Sequence, residues 1–117
     1  MGTGRGLKAF SRNVAIVGVE PAESLHGLEG LKHMPSSIVP PIYREEELDR
    51  KLSIATDEGW DMAERLLAEE SLLAGHRAGA AACGALVIAK EIAARGERGV
   101  VVTLFPDRAD RYLPEAP

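Results

Sequence analysis

The sequence predicts an α/β fold, part of a three-layer α/β/α domain with a mostly parallel sheet. Two β-branched runs, residues 14–19 and 100–105, have the composition of buried strands. Between them, residues 78–94 are rich in Ala and Gly and predict a helix, which a short apolar segment at residues 72–74 precedes. Residues 72–105 therefore predict a βαβ unit. Its parallel strands would place their carboxyl ends at one edge of the sheet, where ligands bind in open α/β sheets.

The predicted elements alternate between helices and strands along the chain. Thr56 or Asp57 caps the middle helix, and Gly96 ends the last one as its C-terminal glycine. A doubly wound domain usually opens with a strand, whereas this order opens inside a helix, so residues 1–117 are expected to form a single partial domain. In chain order the segments are a helix end (7–10), a strand (14–19) that stops at Glu20-Pro21, a connection (22–43) and a strand (52–55). The middle helix, which residues 69–71 close, follows, and then come a short strand (72–74), a helix (78–94) and a final strand (100–105).

The connection at residues 22–43 is rich in Gly, Pro, Ser and His. Its three prolines exclude a long helix. A connection of this length is uncommon in a compact domain unless it serves a function. Its histidines, His26 and His33, are seven residues apart with no cysteine nearby, which is not a metal-binding spacing. The acidic run that follows it, Glu45 to Glu47, is typical of a solvated turn.

Composition excludes several classes of protein. The 117 residues carry a net charge of -4 without any Lys/Arg run, which argues against nucleic acid or an anionic membrane surface as a partner. No apolar stretch is long enough for a membrane span, and no signal peptide is evident, so a cytoplasmic protein is expected. Cys83 is the only cysteine, which excludes an intrachain disulfide and a Cys-rich metal site. We expect it to be an inert core residue.

Two turns carry the candidate site residues. The turn from Gly75 to Gly79 precedes the long helix, and residues 105–110 follow the last strand. Arg77 stands at a helix N-terminus, where a cation opposes the helix dipole and calls for a neighbouring anion. Asp107 is the obvious candidate. Arg77 then either contacts a ligand directly, or forms a salt bridge, or has a solvated side chain. The glycines at residues 2, 4 and 6 suggest a phosphate loop only weakly, because no strand precedes them.

Three segments, residues 26–34, 72–81 and 100–113, resemble the C-terminal part of the cysteine synthase (O-acetylserine sulfhydrylase) family. The family consists of pyridoxal-phosphate-dependent enzymes of fold type II. The resemblance implies β-replacement on a small amino-acid substrate: O-acetylserine or O-phosphoserine and a sulfur donor give cysteine. Two alternatives stay open, a related enzyme similar to cystathionine β-synthase and a non-catalytic α/β module for binding or assembly.

The resemblance also implies where ligands lie. The family usually has a serine in place of Arg77, and small residues in place of Arg108 and Ala109. The family's Schiff-base lysine and phosphate loop have no match in the segment, so no catalytic residue is predicted. The chain is expected to be inactive alone and to need a complementary N-terminal half or a homodimer. The implied cofactor-binding residues are Gly75, Arg77, Gly79, Pro106 and Asp107. The implied substrate-loop residues are Gly27 and Gly30.

Overall fold

The computed structural model describes residues 1–23, 34–36 and 38–109, and places a parallel pair of strands among three helices. The two strands run in register from Val17 beside Arg50 to Pro21 beside Ile54. The predicted α/β class with a parallel sheet is confirmed. The elements are α1 (Gly2–Phe10), β1 (Val17–Pro21), β2 (Arg50–Ile54), α2 (Thr56–Glu70) and α3 (His76–Ala94), with short 3₁₀ turns at Met34–Ser36 and Glu45–Glu47.

Helices approach β1 from opposite sides. Gly84 brings α3 close to β1, since a Cβ there would lie only 2.6 Å from Val19 Cγ2. Side chains alternate between faces along a strand, so Ile16 points away from the face that Val19 occupies. A Cβ on Gly4 of α1 would lie 3.3 Å from Ile16 Cγ2. Helix α1 therefore lies against Ile16 just before β1, on the side opposite α3, and buries none of its own residues.

Helix α2 packs directly on α3 through backbone contact. A Cβ on Gly79 would lie 2.0 Å from the carbonyl oxygen of Gly59 and 3.0 Å from the amide nitrogen of Ala63. Only a glycine permits this approach. The small buried core behind it contains Ile54, Ala80 and Cys83, which agrees with the expected core position of the cysteine.

The helix ends agree only partly with prediction. Helix α3 ends at Ala94, and Gly96 follows its C-cap with a φ of 69°, as expected of a C-terminal glycine. The predicted cap of α2, Thr56 or Asp57, is wrong by one residue, because the N-cap is Ala55. Alanine has no polar side chain, so Glu58 accepts a hydrogen bond from the Ala55 amide at 3.2 Å instead.

The bounds of the first strand differ from prediction. β1 begins at Val17 rather than at residue 14, includes Glu20 and Pro21, and is half-buried at its first three residues rather than buried throughout. Pairing with β2 sets these limits, since the ladder extends to Pro21 beside Ile54. Pro21 has no N–H to donate and stands at the end of the strand.

The two strands predicted at residues 72–74 and 100–105 are wrong within the part of the chain that is described. Neither segment pairs as a strand, although residues 100–105 alternate in exposure as an extended segment does; one isolated antiparallel bridge joins Ala74 to Arg108. Val100 and Val102 are 91% and 87% exposed. The predicted βαβ unit is absent because a β-branched run forms a strand only where a neighbouring strand accepts its hydrogen bonds.

No helix in the described part of the chain is both long enough and apolar enough to cross a bilayer.

Candidate functional site

The two predicted turns meet, although not at the ends of parallel strands. The Gly75 amide donates to the Asp107 carbonyl at 3.2 Å, and the Ala109 amide donates to the Leu73 carbonyl at 3.2 Å. This short antiparallel contact brings the end of the extended segment to the beginning of α3. We call the group formed by Gly75, Arg77 and Asp107 the α3 N-terminal site.

The Asp107 carboxylate holds the first turn of α3. Its side chain is 0% exposed. One oxygen accepts from the Ala78 amide at 2.8 Å, and the other accepts from the Arg77 amide at 3.2 Å. The first amides of a helix have no partner within the helix, and the N-cap here is Gly75, which has no side chain to offer. Asp107 supplies the missing acceptor from 30 residues downstream, and its charge complements the helix dipole.

The Arg77 side chain pairs with the same carboxylate. Its Nε lies 3.4 Å from Asp107 Oδ2, and the side chain is 24% exposed. The anion that the sequence called for beside Arg77 is therefore Asp107. This agrees with the salt-bridge interpretation of Arg77, while contact with a cofactor stays a prediction. The arrangement can present a guanidinium, which only donates hydrogen bonds, on a rigid helix end.

The other predicted site residues lie in different surroundings. Gly79 is buried and faces α2, so it permits helix packing. Pro106 is exposed next to Asp107. Gly27 and Gly30 lie outside the described residues, as do His26, Lys32, His33 and residues 110–113.

One aromatic contact near this site was missed from the sequence. The Trp60 ring of α2 stacks on the His76 ring of α3, with centroids 4.4 Å apart and planes inclined by 20°. His76 precedes Arg77, so the only tryptophan of the chain adjoins the α3 N-terminal site. The signal available was the position of Trp60 in the first turns of the predicted helix, but its partner lies 16 residues away and is not evident from that pattern.

A second polar group, at the end of β1, was also missed. Glu20 is buried, and its carboxylate accepts from the Met34 amide at 3.3 Å and pairs with Lys51 Nζ at 3.2 Å. Lys51 also pairs with Glu45, whose carboxylate accepts from the Tyr43 hydroxyl at 3.5 Å. We call these five residues the Glu20 network. The turn at Glu45–Glu47 is exposed as predicted, but it is tied to the sheet.

Titration shifts follow from these contacts. The hydrogen bond from Lys51 lowers the pKa of Glu45, and the same bond raises the pKa of Lys51. Burial is the main cause of the raised pKa of Tyr43. The Glu45 carboxylate and the Lys51 ammonium are therefore both charged at neutral pH.

Neither site is built for a metal. No group of three or more His, Cys, Asp or Glu side chains converges among residues 1–23, 34–36 and 38–109. The chemistry available at the α3 N-terminal site is that of one buried carboxylate, one guanidinium and the amides of a helix end.

Comparison with known proteins finds relatives that are named cysteine synthases. No protein-family model matches the chain. It is 43% identical over 116 residues to the cysteine synthase of Aquifex aeolicus and 34% identical over 113 residues to cysteine synthase B of Pseudomonas aeruginosa. These matches cover 99% and 97% of the chain but only 36% of either relative. The chain thus spans about a third of the length of the curated relatives it matches.

Solved structures give the same result. The chain superimposes on O-acetylserine sulfhydrylase isoform 3 from Entamoeba histolytica with a TM-score of 0.86 and 31% identity, over 96% of this chain and 35% of that one. It superimposes on an O-acetylserine-dependent cystathionine β-synthase from Helicobacter pylori with a TM-score of 0.81 and 32% identity, over 98% of this chain and 38% of that one.

Proposed function

Because the chain is homologous to a segment of the cysteine synthases along nearly its whole length, we propose that it forms the C-terminal part of a pyridoxal-phosphate-dependent β-replacement enzyme. The proposed reaction exchanges the β-substituent of O-acetylserine or O-phosphoserine for a sulfur nucleophile and gives cysteine. The observation that carries this proposal is that likeness in sequence and fold. A cytoplasmic location remains our expectation.

The chemistry of the α3 N-terminal site fits the ring of the cofactor. When bound, pyridoxal phosphate supplies the electron sink for loss of the α-proton and the β-substituent. Arg77, which stands where the family usually has a serine, would donate a hydrogen bond to the ring nitrogen. Because a guanidinium only donates and never loses its proton, this bond keeps the ring nitrogen unprotonated. Asp107 fixes the Arg77 side chain through Nε. Gly75 and Pro106 would border the ring.

The remaining proposed residues act from a distance or from the loop. Gly79 supports the α3 N-terminal site by allowing α3 to lie against α2. We propose that Gly27 and Gly30 approach the amino-acid substrate, as the resemblance implies.

The described lysines are unsuited to forming a Schiff base. Lys8 pairs with Asp49, and Lys51 pairs with Glu20 and Glu45. The pKa of Lys51 is raised, whereas a lysine nucleophile needs a lowered one. Lys90 is exposed on α3. We therefore propose that a complementary N-terminal part supplies the lysine and the phosphate loop, and that these 117 residues alone have no β-replacement activity.

The exposed apolar row on the extended segment supports the need for such a partner. Val100, Val102 and Leu104 are 91%, 87% and 79% exposed and lie on one side of residues 100–105. Their alternates, Val101, Thr103 and Phe105, line a groove against α2 and α3. A segment with one face packed, one apolar face open and no ladder partner is a template for another strand. That strand comes from the complementary part or from a second copy.

A cystathionine β-synthase-like reaction is the second candidate. The structural likeness to the Helicobacter pylori enzyme favours it, and the two candidates differ in the nucleophile that they accept.

The test combines the purified chain with pyridoxal phosphate, alone and together with the N-terminal part of the Aquifex aeolicus cysteine synthase. We expect a visible absorbance band of lysine-bound cofactor, and sulfide-dependent cysteine formation, only in the mixture. A thiol amino acid offered in place of sulfide separates the two candidate enzymes. A folded chain that binds no cofactor in either case would instead be a non-catalytic α/β module.

A matched pair of variants tests Arg77. Arg77→Ser introduces the serine usual in the family, and it should move the absorbance band and the cofactor affinity of the mixture. Arg95→Ser, at the other end of α3, removes the same charge from an exposed position and should change neither. Equal spectra in both variants would remove Arg77 from the cofactor site.

A further inference from the structure

We propose that Trp60 is a positioning residue for Arg77. By stacking on His76, it holds the first turn of α3 in place and thereby fixes the direction in which the Arg77 guanidinium projects. That this direction serves the ring of the cofactor rests on the proposed function, whereas the effect of Trp60 on Arg77 concerns the chain itself. Trp60 belongs to α2, and the two residues that it acts on are the first two of α3.

The first turn of α3 is held by residues outside the helix. The amides of a first turn have no acceptor within their own helix, so this end frays unless other groups hold it. The first bond of the helical ladder is donated by the Gly79 amide, at 2.9 Å. The amides of Arg77 and Ala78 donate to Asp107. Asp107 thus holds the second and third residues of the turn, and His76 precedes them.

Trp60 provides the corresponding contact for His76. The two rings stack with their centroids 4.4 Å apart and their planes inclined by 20°. This separation is at the short end of the range of about 4.5–7 Å that is usual for aromatic pairs. The imidazole cannot turn away without losing its contact with the indole. The first three residues of α3 are therefore all held from other elements, one by α2 and two by Asp107.

The helix that carries Trp60 is itself firmly placed against α3. Gly59, the residue before Trp60, makes the close backbone approach: a Cβ on Gly79 would lie only 2.0 Å from the Gly59 carbonyl oxygen. The backbone contact and the ring contact thus come from neighbouring residues of α2 and reach positions three residues apart on α3. Contact at two points restrains both sliding and rotation of one helix on the other. The indole therefore presents a fixed surface to the imidazole.

The exposure of Trp60 separates positioning from core packing. The residue is 44% exposed and lies outside the buried core cluster. A smaller apolar residue in its place would leave no buried cavity, so the chain should stay folded. What is lost is the surface on which His76 rests. The imidazole and the backbone of the first turn can then move, and Arg77, the next residue, moves with them relative to Asp107.

Nuclear magnetic resonance on the isolated chain tests the effect of Trp60 on Arg77. Arg77 Nε lies 3.4 Å from Asp107 Oδ2, and the heteronuclear NOE of this N–H group reports how firmly it is held. Trp60→Leu removes the ring but keeps an apolar side chain. The NOE should fall, and exchange of the group with water should become about two- to tenfold faster, the factor that corresponds to loss of an aromatic pair. Trp60→Phe keeps a stack and should restore both values. An unchanged group in a folded Trp60→Leu chain overturns the proposal.

Two further variants show whether the effect passes through the stack. His76→Gln removes the other ring, and it replaces Trp60→Leu if that variant does not fold. It should loosen the Arg77 N–H group equally, and the double variant should loosen it no further, because one contact can be lost only once. Leu67→Ala removes a comparably exposed apolar side chain near the far end of α2 and should leave the group unchanged. Additive effects of the two ring substitutions would contradict a role through the stack.

The mixture with pyridoxal phosphate and the N-terminal part of the Aquifex aeolicus cysteine synthase tests the role toward the cofactor. Trp60→Leu should weaken the affinity for the cofactor by about two- to tenfold and move the absorbance band in the same direction as Arg77→Ser does. Trp60→Phe should restore both, and Leu67→Ala should change neither. A loosened Arg77 with unchanged affinity and band would overturn the role toward the cofactor. If the unmodified mixture shows no band while Arg77 still responds to Trp60, the proposed function fails, and the effect of Trp60 on Arg77 stands.

Discussion

Two β-branched runs of similar composition have different outcomes in this molecule. Residues 14–19 lead into β1, which pairs with β2, packs against α3, and ends at the buried Glu20 and Pro21. Residues 100–105 are extended, pack one face on α2 and α3, and expose the other. The difference teaches that β propensity in a sequence marks a segment able to form a strand, whereas a neighbouring strand decides whether the ladder forms.

Asp107 joins the packed region to the extended one. Its side chain holds the first turn of α3, while its backbone carbonyl accepts from Gly75. Substitutions in the packed region should therefore change the free energy of unfolding most. Substitutions at the junction should change it less, and those on the open face should change it least.

The largest effect is expected in the packed region, at Gly79. Gly79→Ala places a Cβ 2.0 Å from the Gly59 carbonyl oxygen, a backbone atom that cannot move without shifting α2. We expect the free energy of unfolding to fall by about 3 kcal/mol or more, as for severe overpacking. Urea denaturation followed by circular dichroism measures it.

The same substitution on α1 provides the control. A Cβ on Gly6 would meet nothing within 4 Å. Gly6→Ala should therefore stabilise the chain by roughly 0.5–1 kcal/mol through helix propensity. If both alanines had the same effect, the close approach of α2 and α3 could not be the reason for Gly79.

At the junction, Asp107→Ala should destabilise the chain by about 2 kcal/mol, because two amides of the first turn of α3 and the Arg77 side chain lose a buried acceptor. Urea denaturation measures the loss. Trp60 fluorescence should change as well, since the indole stacks on His76 at the same helix end.

Asp61→Ala on the exposed face of α2 removes the same carboxylate without a buried partner. It should change the free energy of unfolding by less than about 0.5 kcal/mol. A loss as large as that of Asp107→Ala would mean that net charge, rather than the cap on α3, determines both results.

The sequence predicted those features that depend on neighbouring residues. The two long helices and the terminal Gly96 follow from periodicity and local backbone preference. The pairing of Arg77 with Asp107, although it joins residues 30 apart, was also predictable. A cation at a helix N-terminus needs a neighbouring anion, and the predicted order of the elements placed Asp107 at the nearest strand end. The resemblance to cysteine synthases was recognisable from short segments in a fixed order.

Other features depend on residues distant in the chain. The contact of Gly79 with Gly59 is visible only when two helices are placed together. The Glu20 network requires the register of β1 and β2, which no local pattern gives. The strand predicted at residues 100–105 was wrong for the same reason, since its expected neighbours are not strands in the described structure.

A smaller effect, dependent on pH, is expected at Cys83 in the packed core. Burial, with Glu58 adding to it, raises the pKa of this thiol. A raised pKa in the folded state means that its stabilising effect is complete below the unfolded pKa and is lost as the pH rises through the folded one. The free energy of unfolding should therefore decline from about pH 8 upward more steeply than in Cys83→Ala. Parallel pH dependence in the two proteins would show that the thiol keeps its proton equally well in both states.

The smallest effect is expected on the open face of residues 100–105. Val102→Ser should change the free energy of unfolding of the chain alone by less than about 0.5 kcal/mol, because the side chain is already 87% exposed. Val101 lies one residue earlier and faces the groove against α2 and α3, so Val101→Ser should lower the free energy of unfolding by about 1 kcal/mol.

In the mixture with a complementary N-terminal part, the order of the two variants should reverse. Val102 would then lie under the added strand, so that Val102→Ser weakens assembly more than Val101→Ser, as measured by titration of one part with the other. Equal assembly constants for the two variants would mean that the exposed row is not the surface that a partner covers.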